Sequence, residues 1–303
     1  MCIEGVVFME ENYGKIISNI RTAKGVPVRE LTSGVCGRTA YSNFVMNRTR
    51  TSINNFEEFL NRLHVSFAEF KYIANGFETD YEQQYVVDLQ KAIARRDVQK
   101  IEKLLKKVIN YCHIYNDEKY KHLACITKLT IDKLKGNQLN ESAKNIITNY
   151  LIKCETWTHY ELMMFNNAMF AFSLDQIRAF REKVVHNLEK YQNLRVYGSE
   201  SFRVLINMLM VFIESHSYHD IQITMGLINN YSLNEDMLFE ETLRLYFSGI
   251  LKLINRECND GMKNINQALS ILNTLHAQSY SENLKKYLNQ IAMKYGINIE
   301  SNN

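Results

Sequence analysis

The sequence has few of the residues that sheet proteins place between their strands. It holds one proline, Pro27, and 12 glycines among 303 residues. Turns between strands depend on glycine and proline at positions with special backbone angles. A sandwich, a barrel or a doubly wound sheet is therefore excluded. The apolar fraction of 46% and the charged fraction of 23% are those of a folded chain. The sequence predicts an all-α protein.

Cysteine pairs and long apolar runs are missing too. Six cysteines are spread along the chain and none forms a CxxC pair, which argues against a disulfide framework and a zinc cluster. The longest apolar stretch, residues 202–213, is interrupted by Arg203 and Asn207 and is shorter than the roughly 20 residues that a membrane span needs. The first residues carry Glu where an export signal needs basic side chains. We expect a soluble, cytoplasmic protein with no membrane partner.

Sequence motifs of catalysis are absent. The chain has no GxxxxGK[ST] loop and no GxGxxG, HExxH or GxSxG motif. His216 and His219 are three residues apart beside a predicted helix end. This spacing is a weak metal pattern, and a surface turn is the expected structure. We expect no enzyme activity, no metal and no cofactor.

Positive charge is concentrated near the N-terminus. Residues 13–62 hold eight Lys and Arg against three Glu, whereas the formal net charge of the whole chain is +3. That total is far below the charge of a protein whose whole surface binds nucleic acid. Any contact with nucleic acid is therefore predicted within this segment.

Five short helices are predicted within residues 1–75. Apolar residues at helical spacing form the first helix, which ends before Pro27. The next two helices are joined tightly around Gly34, an arrangement that indicates a helix-turn-helix. Ser52 and Ser66 are natural N-caps for the fourth and fifth helices. We assign this segment to a DNA-binding domain.

The run YGKIISNIRTAKGVPVRELTSGVCGRTAYSNFVMNRTRTSINNFEEFLNRLHVSFAEF resembles the repressor-type helix-turn-helix of Rgg (MutR-type) transcriptional regulators of Gram-positive bacteria. In such a module the third helix contacts the bases. Arg38 and Asn43 have the chemistry to do so, because Arg pairs with guanine and Asn with adenine. Thr39 shares the first turn with Arg38. Arg48 and Arg50 follow the helix and are expected to contact phosphates in double-stranded DNA.

Three positions leave another function open. Val28 stands where the family usually has a phosphate-binding Gln, and Val45 where the third helix usually ends in Glu. Ala40 occupies a base-facing position without hydrogen-bonding chemistry. The alternative is a tetratricopeptide-like protein-interaction scaffold whose degenerate helix-turn-helix mainly dimerises.

From Tyr81 onward the pattern predicts roughly 11 helices with short polar joints, one of them at residues 198–200. Successive helix pairs that bury their faces against each other form a solenoid. Gly249 and Gly261, 12 residues apart, fit the small positions of a tetratricopeptide repeat, where two helices approach closely. We assign residues 76–303 to a tetratricopeptide-like α-solenoid.

The run CETWTHYELMMFNNAMF, which begins at Cys154, resembles the middle of the Rgg regulatory domain. The runs FRVLINMLMVFI and FEETLRLYFSGILKL agree with that family in register. The resemblance implies a cytoplasmic quorum-sensing regulator whose repeat domain binds a short hydrophobic peptide pheromone in a concave groove. It also implies a homodimer that presents two DNA-binding modules.

Candidate peptide contacts lie on apolar helices that carry a few polar side chains. An Asn side chain offers both a donor and an acceptor and can hold the backbone of an extended peptide. Methionine adapts its shape to varied ligands. The candidates are Asn167, Phe170, Asn207, Met210, Tyr246 and Phe247. For the aromatic residues and Met210, an ordinary core position is the alternative.

Overall fold

The computed structural model describes residues 12–79, 81–191 and 194–298. Over these residues the chain forms 16 α-helices and one short 3-10 turn, with no strand. The prediction of an all-α protein is confirmed. The chain divides into two units between Asp97 and Val98, further along than the assigned boundary at residue 75. The first eleven residues, on which the expectation about export rests, lie outside the described residues.

In the described residues of the first unit there are six helices. They are α1 Tyr13–Ala23, α2 Val28–Thr32, α3 Arg38–Val45, α4 Ile53–Leu63, α5 Phe67–Ala74 and α6 Tyr81–Ala94. Helix α4 begins where predicted, because Ser52 Oγ accepts a hydrogen bond from Asn55 N. Helix α5 begins the same way, with Ser66 Oγ accepting from Glu69 N. Both serines satisfy amides that the first turn leaves unpaired.

A small apolar core holds α1 to α5 together. Ile17, Leu31, Phe59, Leu63 and Phe70 are each 0% exposed and belong to one cluster. Burying a side chain of this size contributes about 1.5–3 kcal/mol to stability. The first five helices therefore form a packed bundle around one centre.

The second unit, as far as the structure describes it, contains ten helices. They are α7 Val98–Tyr115, α8 Glu118–Lys135, α9 Glu141–Lys153, α10 His159–Ala168, α11 Leu174–Tyr191, α12 Arg195–Glu214, α13 Tyr218–Asn230, α14 Leu238–Ile254, α15 Cys258–Thr274 and α16 Gln278–Tyr295. The 3-10 turn Met169–Ala171 follows α10. Counted from Tyr81, the 11 helices match the prediction. The joint predicted at residues 198–200 is wrong, because these residues lie inside α12.

Helices α14 and α15 cross at two glycines. A Cβ atom on Gly249 would lie 2.7 Å from the carbonyl oxygen of Gly261, and one on Gly261 would lie 2.9 Å from the carbonyl oxygen of Gly249. No real Cβ atom tolerates such distances, so both positions need glycine. The close approach predicted from the spacing of Gly249 and Gly261 is confirmed.

No described helix is both long and apolar enough to cross a membrane. The five cysteines within the described ranges are free thiols.

Candidate functional sites

The first candidate site is the exposed face of α3, which follows α2 after a short turn. Gly34 supplies a φ of +72° in that turn, a conformation that costs glycine little. Gly37 then caps α3 with extended backbone angles. Arg38, Thr39 and Ala40 in the first turn are all exposed. The turn geometry therefore presents the beginning of α3 to solvent.

Close backbone packing fixes α3 against α1. A Cβ atom on Gly14 would lie 2.1 Å from the carbonyl oxygen of Phe44 and 2.8 Å from the Cα atom of Val45. Asn12 Nδ2 also donates a hydrogen bond of 3.1 Å to the carbonyl oxygen of Val45. Helix α1 therefore holds the C-terminal end of α3 while the beginning of α3 stays exposed.

The arginines of the first unit fall into two groups. Arg62 donates to the carbonyl oxygens of Glu30 at 2.8 Å and Ser33 at 2.7 Å, so its guanidinium braces the end of α2. Arg38, Arg48 and Arg50, in contrast, are exposed, and no side-chain hydrogen bond or ion pair holds them within the described ranges. These three cations are available to a partner.

Asn43 lies one turn after Arg38 and is half-buried. Its carbonyl oxygen accepts hydrogen bonds from Arg48 N at 2.8 Å and from Thr49 N at 3.4 Å. These bonds turn the chain after α3 and hold the following arginines beside that helix. The five predicted DNA contacts therefore lie on α3 and on the turn that follows it.

The second candidate site is a layer of alternate helices in the second unit. Helices α8, α10, α12 and α14 contact one another in that order, as the first helices of successive tetratricopeptide repeats do. We call this set the even layer. Four side-chain pairs join neighbouring helices across it: His122–Tyr160, His159–Glu200, Asn166–Asn207 and Arg203–Glu240.

The hydrogen bonds of the asparagine side chains in the even layer differ from the prediction, which named Asn167 and Asn207 as peptide contacts. Asn207 Nδ2 donates to Asn166 Oδ1 at 2.8 Å, which links α12 to α10. No described residue occupies Asn166 Nδ2 or Asn207 Oδ1. Asn167 Nδ2 donates to the carbonyl oxygen of Met163 at 2.8 Å within its own helix. The pair Asn166–Asn207 therefore keeps one free donor and one free acceptor side by side.

Sequence reasoning missed Asn166, although a signal was present. Asn166 is four residues before Phe170 and three after Met163, so all three share one face of the chain around α10. All three are partly exposed. The helical spacing places Asn166, and not its neighbour Asn167, on this face. Composition alone does not distinguish the two residues.

Phe170 and Met210 are partly exposed next to the core of the second unit. Lys133 Nζ of α8 lies 4.4 Å from the ring centroid of Phe170, a cation–π distance. Burial lowers the pKa of the Lys133 ammonium. Phe170 and Met210 thus keep surface available, and Lys133 adds positive charge that the sequence did not indicate here.

Tyr246 and Phe247 do not line an open surface. Both are 0% exposed, and the Tyr246 hydroxyl donates to the carbonyl oxygen of Leu284 at 2.7 Å. Side chains without exposed surface cannot contact a peptide in this conformation. The core alternative holds for these two residues, which leave the set of candidate contacts.

His122 and Glu161 are buried polar groups within the even layer. His122 is 2% exposed, and its Nδ1 lies 2.8 Å from the Tyr160 hydroxyl. Burial lowers the pKa of His122 because solvent no longer stabilises the charged ring. Burial also disfavours the charged form of Glu161, but hydrogen bonds from Thr158 and Tyr150 outweigh it and lower the pKa of Glu161.

His216 and His219 belong to no metal cluster: within the described ranges no group of three or more His, Cys, Asp or Glu could hold a metal ion. His216 has a φ of +54° in the turn after α12. Its ring centroid lies 4.4 Å from that of Tyr295. The expected surface turn is confirmed for His216, whereas His219 lies in the first turn of α13.

Comparison with known protein families covers most of the second unit. Residues 103–286 match the family described as the C-terminal domain of the HTH-type transcriptional regulator Rgg. The chain belongs to the Rgg family. This is a family of transcriptional regulators, and the matched residues include the even layer.

Solved structures resemble this Rgg-family chain over most of its length. RopB is 31% identical, with 75% of this chain and 99% of RopB covered and a TM-score of 0.56. A candidate transcriptional regulator from Listeria monocytogenes EGD-e is 21% identical, with 95% and 99% covered and a TM-score of 0.83. The SHP pheromone receptor Rgg2 of Streptococcus dysgalactiae is 19% identical, with 92% and 99% covered and a TM-score of 0.74. The last two similarities concern the fold alone.

Proposed function

We propose that this Rgg-family protein is a cytoplasmic, homodimeric DNA-binding regulator controlled by a short hydrophobic peptide. The observation that carries the proposal is the exposed beginning of α3 beside Arg38, Arg48 and Arg50, three cations without an internal partner. A cation left unpaired beside a helix-turn-helix is suited to the phosphates and base edges of DNA.

The DNA contacts divide by position. Arg38 and Thr39 in the exposed first turn of α3, with Asn43 one turn later, face the major groove and contact bases. Arg pairs with guanine and Asn with adenine there. Arg48 and Arg50 follow the helix and contact phosphates, which fix the position of the protein without reading sequence. Modules of this class read two half-sites, which accounts for the homodimer.

The peptide binds on the even layer. Asn166 Nδ2 and Asn207 Oδ1, the free donor and acceptor of the bonded pair, match the carbonyl and the amide of an extended backbone. Phe170, Met210 and Asn167 are partly exposed around them and offer apolar contacts and a further amide oxygen. The description of the similar protein Rgg2 as a pheromone receptor supports a peptide ligand.

A salt titration tests the DNA part. The protein is mixed with a labelled duplex from upstream of its own gene, and affinity is measured by gel shift at increasing salt. We expect affinity to fall steeply with salt because bound cations displace counterions from DNA. Lys263→Ala in the second unit removes one exposed charge from α15 and should leave binding unchanged. Absence of binding at low salt would favour the scaffold alternative.

A calorimetric titration tests the peptide part. Synthetic peptides encoded by small reading frames beside the gene are titrated into the protein. We expect Asn166→Ala and Asn207→Ala to weaken binding of the active peptide, because each leaves a peptide backbone group without a partner. Asn229→Ala on α13, an exposed position outside the even layer, is the control. Equal affinities for all three variants and the unaltered protein would refute this placement.

A further inference from the structure

A lysine ammonium lies close to the asparagine pair of the even layer. Lys133 is in the last turn of α8, and its Nζ atom lies 4.4 Å from the ring centroid of Phe170. Phe170 follows Asn166 by four residues, just after the end of α10, and Asn166 is bonded to Asn207. The cation, the aromatic ring and the free amide atoms therefore follow one another along the even layer.

Lys133 is surrounded by protein and is still open to solvent. The residue is exposed, yet the pKa of its ammonium is lowered because neighbouring protein atoms displace water that stabilises the charge. A lysine on an open helix surface keeps its charged end in water. Exposure together with desolvation is typical of a side chain that lines a recess. A ligand can reach this ammonium, and the charge is screened less than at an open surface.

The ammonium has no hydrogen-bond acceptor among the described residues. None of them accepts a hydrogen bond from Lys133 Nζ or forms an ion pair with it. Glu214 of α12 raises the pKa of Lys133 through its charge, but the two groups are not paired. A lysine in the last turn often bonds the carbonyl oxygens of its own helix, and Lys133 does not. An ammonium has three donors, which the face of one aromatic ring satisfies poorly.

An acceptor from outside the chain fits this position. We propose that Lys133 binds a carboxylate of the peptide, while Asn166 and Asn207 hold the adjoining peptide backbone. The inference rests on the proposed function, because it concerns the same site. It narrows the ligand class to hydrophobic peptides that place a carboxylate, terminal or side-chain, about one helical turn from the asparagine pair. Peptides without that group are disfavoured, since they leave a desolvated cation unpaired.

Calorimetric titration of modified peptides into the full chain tests the proposal. The peptides encoded by small reading frames beside the gene are each made in three forms: as the free acid, as the C-terminal amide, and with Asp and Glu changed to Asn and Gln. For the peptide that binds, one neutral form should lose about tenfold or more in affinity, as loss of a charged hydrogen bond does. The form that loses affinity identifies the source of the carboxylate.

Variants at Lys133 assign the effect to this side chain. Lys133→Met removes the charge and keeps a long side chain beside Phe170. It should bind the charged peptide about tenfold more weakly and should bind charged and neutral forms alike. Lys133→Arg keeps the charge and should keep the preference for the charged form.

Two controls separate binding from stability. Lys128→Met removes an exposed charge from another face of α8 and should change neither affinity. The melting temperature of Lys133→Met without peptide should equal that of the unaltered protein, because no internal acceptor is lost.

Three outcomes would overturn the inference and leave the proposed function intact. The first is equal affinity for all three forms of a peptide that binds. The second is a preference for the charged form that persists in Lys133→Met. The third is weaker binding of every form by the same factor in Lys133→Met, the sign of a packing role. Absence of binding by any peptide would instead overturn the proposed function itself, and this inference with it.

Discussion

Arginines that lie close together in the sequence have different roles in this protein, and their hydrogen bonds distinguish those roles. Arg62 is held by the carbonyl oxygens of Glu30 and Ser33, so it stabilises the bundle. Arg38 and Arg50 have no such bonds within the described ranges. Composition predicts one basic region, but only the structure shows which of its cations are available.

Arg38 and Arg50 should respond differently to removal. Arg38→Ala should relax the preference at one base pair, at a cost of about 1–3 kcal/mol for the preferred sequence. Arg50→Ala should weaken binding to all sequences alike and reduce the salt slope by about one. Gel shifts with the operator and its single-base variants measure both. If the two variants show the same profile, the division into base and phosphate contacts is wrong.

Asp220 is a buried carboxylate held by two arginines. It is 3% exposed and accepts hydrogen bonds from Arg178 Nε at 2.8 Å, Arg181 at 3.0 Å and Ser217 at 2.6 Å. Burial disfavours its charged form, but these bonds outweigh burial and lower the pKa of Asp220. The ionised carboxylate therefore favours the folded state.

Asp220→Asn should lower the free energy of unfolding by about 2–3 kcal/mol at pH 7. This is below the range for fully buried pairs because Arg178 is partly exposed. The pKa of Asp220 is lower in the folded state, so its contribution is present above the ordinary pKa of aspartate. That contribution is lost as the pH falls below this value and through the lowered pKa of the folded state. Urea unfolding at pH 7 and at pH 3, which is below the ordinary aspartate pKa of about 3.9, should show a smaller difference at the lower pH. A constant difference would contradict this explanation.

At the scale of the helix, Gly14 tests how α1 holds α3. Gly14→Ala places a Cβ atom against the carbonyl oxygen of Phe44 and should force the two helices apart. We expect a lower melting temperature for the first unit and loss of DNA binding. Gly37→Ala is the matched control, since a Cβ atom there meets nothing within 4 Å. Equal melting temperatures for the two variants would refute the close contact.

Gly249 offers the same comparison in the second unit. Gly249→Ala brings a Cβ atom to 2.7 Å from Gly261 O and should destabilise the crossing of α14 and α15. Gly226→Ala on α13 meets nothing within 4 Å and should stabilise its helix by up to about 1 kcal/mol. Thermal unfolding followed by circular dichroism should therefore shift in opposite directions. A shift of the same sign in both would contradict the close packing.

Local sequence patterns predicted the helices better than they predicted the side-chain contacts. Serine caps and apolar spacing located the starts of α4 and α5, because these signals act within a few residues. The prediction of a joint at residues 198–200 was wrong because a Gly-Ser-Glu run resembles a turn. In the structure this run lies within α12. The choice of Tyr246 as a peptide contact was wrong for another reason. Its hydroxyl donates to the carbonyl oxygen of Leu284, which lies 38 residues further along the chain, and no local sequence pattern shows a contact over that separation.

At the scale of the whole molecule, the order of domains was the most informative sequence feature. A basic helix-turn-helix segment followed by helix pairs is recognisable even where single positions such as Val28 and Val45 depart from the family. The polar pairs across the even layer could not be recognised from the sequence, because each pair joins residues about 40 apart, as Asn166 and Asn207 are. The proposed peptide site of the second unit therefore rests on contacts that only the fold brings together.

Linkage between the two ligands tests the central claim most directly. The affinity of the unaltered protein for its operator is measured by fluorescence anisotropy, at fixed salt, with and without a saturating amount of the peptide that it binds. A regulator controlled by peptide must show a change, and coupling between sites typically alters affinity by about 5- to 150-fold. Identical DNA affinities for the free and the peptide-bound protein would contradict the account.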